Sequence, residues 1–165
     1  MFTNIIPQDT ANVNCLSHEF LCFGLGAEEF GIDIHKIQEI RNYEITTTIA
    51  NTPDYLKGVI NLRGIIVPII DMRIKFKFGQ AIYNDFTVVI ILHLTDRTVG
   101  IVVDRVADVV TLGSSDIRQI QHQDIADAAS YLLGIGTLDQ RMLILIDIDH
   151  LLANELELLT SASIN

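Results

Sequence analysis

The sequence predicts a mainly β fold made of two copies of one small barrel, and three observations carry that expectation. Short runs rich in Val, Ile, Leu and Phe recur along the 165 residues, bounded by Gly, Asp, Asn or Thr. The chain aligns to itself without gaps in two blocks, which marks an internal duplication. Convincing helical spacing is confined to the C-terminus.

Phe20–Leu25, Phe30–Ile34, Ile65–Ile70, Thr87–Leu94, Val99–Val103 and Met142–Ile146 read as strands. Gly26-Ala27-Glu28-Glu29 and Thr95-Asp96-Arg97-Thr98 read as hairpin connections within the first pair and within the pair that starts at Thr87. A C-terminal helix is expected from Asp149 to about Thr160, where Ile148, Leu151, Leu152, Leu156 and Leu159 recur at three- and four-residue intervals. Shorter helical turns are expected at His35–Ile40 and around Pro53–Lys57, the latter with Thr52 as N-cap and proline at the first position.

The first repeat block runs from Phe20 to Ile40 and matches Val89–Val109 position for position, apolar residues and a glycine coinciding. The second runs from Tyr55 to Asp71 and matches Tyr131–Asp147 in the same way, with Tyr, Gly, Leu and Asp in common. The second block is offset further than the first by seven, which places an insertion of that length within the polar segment 113–130. Two copies of a β module suit a closed barrel, because closure removes the edge strands that invite aggregation. Glycines kept in both copies, Gly31 with Gly100 and Gly58 with Gly134, are expected at equivalent backbone positions where a side chain would obstruct.

Composition bounds the function. Hydrophobic residues make up 49% and charged residues 19%, far from the composition of disorder, and no run of about 18 apolar residues could span a bilayer. A net charge of -10 argues against broad binding to nucleic acid or anionic lipid, so the expected partners are proteins. No secretory signal opens the chain, and the cytoplasm is the expected compartment. Cys15 and Cys22 lack Cys-x-x-Cys spacing and read as free structural thiols.

The stretch Asn-Leu-Arg-Gly-Ile-Ile-Val-Pro-Ile-Ile-Asp, residues 61–71, sets an arginine and a glycine side by side among core-like residues. In the repeat Arg63 faces Asp139 and Gly64 faces Gln140. A residue needed by the shared fold would stand in both copies, which points Arg63 toward a specialised role. The other reading is a hairpin tip, with Gly64 in an unusual backbone conformation and Arg63 solvated.

Four segments together, "FGIDIHKIQEIR", "NTPDYLKGVINLRGIIVPIIDMRIKF", "YNDFTVVIILHL" and "VGIVVDRVADVV", closely resemble the CheW family of bacterial chemotaxis coupling proteins, over the chain from about Phe20 to Leu159. The resemblance implies two tandem five-stranded SH3-like barrels packed on each other with a C-terminal helix. It makes residues 16–160 a single domain of two interleaved subdomains, with repeat blocks 20–71 and 89–147, behind a flexible segment 1–15. It further implies a non-catalytic adaptor joining the cytoplasmic tips of methyl-accepting chemoreceptors to the regulatory domain of the histidine kinase CheA, recruited to the inner face of the membrane through the receptors. Other CheW copies in arrays are further partners by the same resemblance, without nucleic acid, cofactor, metal or direct membrane insertion. The receptor-binding determinants it carries over are Ile37, Glu39, Arg63, Gly64, Val88 and Val109. Arg63 would offer a rigid donor fork and the aliphatic residues contact area. Ile37 also reads as core, and Glu39 as a solvated charge. For kinase binding the family pattern is Ile-Arg-Pro, then an acidic residue and an aromatic. Here residues 117–125 read Ile-Arg-Gln-Ile-Gln-His-Gln-Asp-Ile, so only Arg118 carries over.

Enzyme readings find no motif. The five histidines have no metal-ligand spacing, Asp147-Ile148-Asp149-His150 reads as a helix-start carboxylate motif, and Gly24-Leu25-Gly26 lies between strands with no helix after it. The alternatives are a paralogue serving another sensory pathway such as surface motility, or a small-ligand-binding β-barrel protein.

Overall fold

A computed structural model describes residues 17–78, 80–120 and 131–153. Among these residues eleven strands run in the order β1 (Ser17–Leu25), β2 (Glu28–Asp33), β3 (Ile37–Asn42), β4 (Leu56–Leu62), β5 (Ile65–Asp71), β6 (Val88–His93), β7 (Thr98–Val103), β8 (Arg105–Gly113), β9 (Ile117–Arg118), β10 (Leu132–Leu138) and β11 (Arg141–Ile146). A four-residue helix, α1 (Met72–Lys75), follows β5, and 3-10 turns occupy Ile34–Lys36 and Ser114–Asp116. A further helix opens at residue 148, but its expected continuation to Thr160 lies outside the described residues, as do Cys15 and segment 1–15. No helix among the described residues is long and apolar enough to cross a membrane.

The strands form two sheets, β8-β1-β2-β11-β10-β9 and β3-β6-β7-β5-β4. In the register of the two repeat blocks β1, β2, β3, β4 and β5 correspond to β6, β7, β8, β10 and β11. Under that correspondence one sheet order turns into the other. Each copy keeps its first two strands for one barrel and gives its remaining strands to the other. Each sheet also closes in the same way. Past β8 the chain turns through Ser114–Asp116 into β9, where Arg118 pairs with Ile135 of β10. Past β3 it reaches Thr47, which pairs with Val59 of β4 through two hydrogen bonds of 2.9 Å. In the register of the first block Thr47 would fall on Asp116, yet its structural counterpart is Arg118. Two of the seven inserted positions therefore lie before Arg118 and five after it.

The register carries the glycine expectation. Gly31 stands opposite Leu145 in the parallel β2–β11 pair, as Gly100 stands opposite Ile69 in β7–β5. A Cβ on Gly31 would lie 2.8 Å from a methyl of Leu145, and one on Gly100 2.6 Å from a methyl of Ile69. Gly58 and Gly134 each sit at a bulge, with φ of 141° and 159°.

Burial explains why the best-read strands are unbroken apolar runs. Phe20 and Cys22 point into the first barrel, Val89 and Ile91 into the second. Their neighbours Leu21, Phe23 and Leu25, and their counterparts Ile90, Leu92 and Leu94, fill a third and larger core between the barrels. A strand buried on both faces loses the polar alternation of a half-exposed one.

Several local expectations are corrected. The helical turn expected at His35–Ile40 is shorter and begins earlier: the 3-10 turn covers Ile34–Lys36, and Ile37 opens β3. Residues 53–56 form a single turn, closed by the Leu56 amide on the Pro53 carbonyl at 3.1 Å, rather than a helix start, and the Thr52 hydroxyl donates back to the Ile49 carbonyl at 2.9 Å instead of capping. The first hairpin connection is only Gly26-Ala27, since Glu28 and Glu29 already belong to β2. Strands β3, β4, β8, β9 and β10 are not among those that the apolar runs predict.

Candidate functional site

The hairpin between β4 and β5 turns on Arg63 and Gly64, whose φ values of 52° and 89° are both left-handed. Such a pair suits the two-residue hairpin turn whose twist matches that of the strands, and glycine takes the second position without strain. The Asn61 side chain fixes the turn by accepting from the Gly64 amide at 2.8 Å. In the other copy Asp139, with a φ of 56°, shares the left-handed conformation of Arg63, but Gln140 does not share that of Gly64, so the two turns differ in backbone as well as in side chain.

Arg63 is 66% exposed in its side chain, and its Nη2 donates to Glu39 Oε2 at 2.7 Å. The other Glu39 oxygen lies 3.6 Å from Arg41, which in turn reaches Glu44 at 3.2 Å. A chain of four alternating charges thus crosses the face of the second barrel. The structure brings Glu39, Arg63 and Gly64 together. Ile37 and Val88, from β3 and β6, are half-buried and pack against the core between the barrels. Val109 belongs to the first barrel, where it pairs with Leu21 and is 48% exposed. Arg118 is exposed on the short β9 of that same barrel.

Sequence comparison at a fixed shift missed the first barrel's version of the charge pair. Asp108 is the counterpart of Glu39, and Arg141, next but one after Asp139, donates to both its oxygens at 2.8 and 3.0 Å. Arg141 also donates to Glu29 at 2.7 Å. These bonds hold the Asp108 carboxyl below and the Arg141 guanidinium above their ordinary values. A strand arginine therefore does in one copy what a turn arginine does in the other, but Arg141 is held by two carboxylates where Arg63 is held by one and keeps most of its surface in solvent.

Cys22, Glu29 and Asp108 present ligand-type atoms within 4.8 Å of one another. Arg141 already balances the two carboxylates. Burial, with Asp108 as a second cause, pushes the Cys22 thiol up to about 11, so it is protonated and not the thiolate that soft metals take. Native Cys22 is accordingly expected to resist iodoacetamide at neutral pH and to react once the chain is unfolded. Mass spectrometry of its peptide reads the difference, and rapid native alkylation would contradict the assignment.

A second network is buried. Asp71, at the end of β5, accepts from the Arg73 amide at 2.9 Å and from its guanidinium at 3.0 and 2.9 Å. The Tyr83 hydroxyl donates to Asp71 at 2.7 Å, and Arg73 also reaches the Ile82 carbonyl at 2.5 Å and Asp104 at 3.2 Å. Asp104 accepts from the Gly26 amide at 2.7 Å, so the network ties the second barrel to the first hairpin of the other. In the corresponding place of the second copy the Asp147 carboxylate caps the helix, accepting from the His150 amide at 3.2 Å. Asp149, the counterpart of Arg73, pairs with Lys36 at 2.6 Å. The first aspartate is common to the two junctions, and the charge two positions after it is reversed.

A family model described as a CheW-like domain matches residues 19–156. The chain belongs to the CheW family. It is 54% identical over 140 residues to the chemotaxis protein CheW of Klebsiella aerogenes, covering 85% of this chain and 84% of the relative. It is 32% identical over 139 residues to CheW of Rhizobium meliloti, covering 83% and 88%. Among solved structures it resembles the scaffolding protein TtCheW of Thermoanaerobacter tengcongensis, with a TM-score of 0.72 and 30% identity over 78% of this chain and 88% of that one. CheW membership fits the two sheets, each closing as an SH3-like barrel, and the exchange of strands between the copies.

Proposed function

We infer that this CheW family member is a chemotaxis coupling adaptor, a scaffold that acts by holding other proteins rather than by catalysis. On this reading it joins the cytoplasmic tips of chemoreceptors to the regulatory domain of the kinase CheA from the cytoplasm, and residues 16–160 act as one domain because the largest core lies between the barrels. The observation that carries the reading is its 54% identity over 140 residues with a chemotaxis CheW. The surface supports it: Arg63 is preset on a rigid turn by Glu39 yet mostly open to solvent, which suits a guanidinium waiting for a carboxylate or helix-end carbonyls. Ile37, Val88 and Val109 supply aliphatic area to the same receptor in this reading, and Arg118 serves the kinase. Weak contacts suffice in an array, where several micromolar links of about -8 kcal/mol each hold an assembly together.

Copurification with a receptor cytoplasmic fragment and the kinase is the first test. Arg63→Ala is expected to leave the melting temperature unchanged, because an exposed ion pair contributes at most about 1 kcal/mol. Its receptor affinity should fall by about 1–3 kcal/mol, with kinase affinity intact. Unaltered receptor affinity in the folded variant would remove Arg63 from the site, and a wild type that binds neither partner would overturn the adaptor reading.

A further inference from the structure

We propose that the mouth of the second barrel is a binding site for a short branched aliphatic group, of the size of a valine or leucine side chain, joined to an uncharged polar head. Ile60, Ile69 and Val89, interior residues of that barrel, floor a cleft of about 200 Å³, its open mouth included, and Arg41, Asn42 and Glu44 stand at its rim. The first barrel shows the same module with this place filled. There Phe20 faces Val110 across β1 and β8, and both belong to the barrel's core. Their counterparts across β6 and β3 are Val89 and Arg41. Ile60, standing where the first barrel has Gly136, restores bulk to the floor. Arginine, however, does not seal the mouth as Val110 does, because its guanidinium turns outward to Glu39 and Glu44 and its side chain stays 33% exposed.

Size and polarity say what fits. Pockets that enclose whole drug-sized ligands start at about 300 Å³, so this cleft takes one end group of a ligand. A floor of methyl groups offers water few hydrogen-bond partners, and an apolar group that displaces such water gains affinity. The rim calls for no net charge. Arg41 is spent on Glu44 at 3.2 Å and on Glu39 at 3.6 Å, and Glu39 is shared in turn with Arg63. Left over is Asn42, whose side-chain amide has no hydrogen-bond partner among the described residues. That amide carries donors and an acceptor together, which matches an uncharged amide or hydroxyl better than an ion.

The probes are N-acetyl-leucinamide, which presents the group on a peptide-like head, and isobutanol, which presents it as a free small molecule. N-acetylglycinamide, which lacks the side chain, is the control. Each is titrated into the full chain labelled at its isoleucine and valine methyls and followed by nuclear magnetic resonance. Saturable shifts are expected at Ile60, Ile69 and Val89 with at least one aliphatic probe, at a dissociation constant on the order of 1–10 mM, and none with the control. Saturation by the leucinamide alone assigns the site to an aliphatic residue of a peptide, and saturation by isobutanol alone to a free small molecule. Arg41→Val, which sets the first barrel's residue at the mouth, should weaken binding about tenfold. Val89→Ile, which extends the floor into the cleft, should weaken it at least about threefold and serves if the first variant melts early. No saturable shift up to about 100 mM overturns the proposal, as do equal shifts with the control or wild-type affinity in the folded variants. The adaptor reading stands or falls separately, since no receptor or kinase enters these titrations.

Discussion

Asp71→Asn is expected to destabilise the fold by about 3–5 kcal/mol, because it leaves the buried Arg73 guanidinium without its charge partner. The isosteric amide retains the shape and the means to accept from the Arg73 amide, so the loss is electrostatic rather than a cavity. Tyr83 would lose its carboxylate acceptor as well, loosening the loop that carries Ile82 and Phe86. Urea denaturation followed by far-ultraviolet circular dichroism measures the change, and a loss under about 1 kcal/mol would show that solvent reaches Arg73. Acid should reproduce part of the effect. Burial pushes the Asp71 carboxyl up, but the Arg73 and Tyr83 hydrogen bonds and the Arg73 charge outweigh it, and the folded value lies below the ordinary 3.8. A depressed folded value means that the contribution is complete above the unfolded value and is lost as the pH falls through the folded one. Asp71→Asn should therefore flatten the stability profile below pH 4 relative to wild type. A wild-type and variant profile that stay parallel there would contradict this.

Gly58→Ala should cost about 2–4 kcal/mol, the sum of left-handed strain and a clash that no rotamer relieves. Its φ is 141°, and the added carbon would run into the carbonyl of Thr47, the residue whose paired hydrogen bonds close the second barrel. Backbone cannot move aside there without opening that closure. Gly134→Ala repeats the experiment in the first barrel, where the obstruction is the Arg118 carbonyl at 2.8 Å and φ is 159°. Both variants should lose stability while Gly64→Ala, whose added carbon meets nothing within 4 Å, suffers strain alone. A Gly58→Ala protein as stable as wild type would mean that the bulge is not needed to close the barrel.

Much of this architecture was legible in the residues because duplication writes the same constraint twice. The two block offsets found in the sequence recur in the pairing of Gly31 with Leu145 and Gly100 with Ile69. Strands read correctly have apolar runs with few interruptions, either because both faces are buried, as in β1, β6 and β7, or because the exposed positions are themselves apolar, as at Ile65 and Ile66 of β5 and Met142 of β11. Those missed carry polar residues on an open face or a glycine at a bulge: β3 reads Ile-Gln-Glu-Ile-Arg-Asn, and β4 reads Leu-Lys-Gly-Val-Ile-Asn-Leu. The spacing Ile34, Ile37, Ile40 satisfies a helix on paper. In the folded chain Ile34 sits in a 3-10 turn, Ile37 flanks the inter-barrel core and Ile40 faces solvent.

The candidate site was legible less evenly. Arg63 stood out because its counterpart is Asp139, and Glu39 proved to be its ion-pair partner. Arg41, which shares Glu39, and Arg141, which reproduces the pair from a strand, gave no signal, since neither occupies the position that a fixed shift would examine. The Asp71–Arg73–Tyr83–Asp104 network joins β5 to the far end of β7, and an aspartate with an arginine next but one after it is ordinary on paper.

From the sequence alone came the duplication, the β class, the positions that only glycine can hold and the family. Tertiary structure alone decided which copy each strand completes. A module that gives its third strand to its twin and one that keeps it present the same apolar residues at the same positions, so local sequence does not separate them. The exchange is favoured where Phe23, Leu25, Leu92 and Leu94 can be buried between two barrels at once, and that burial exists only when both copies are folded together.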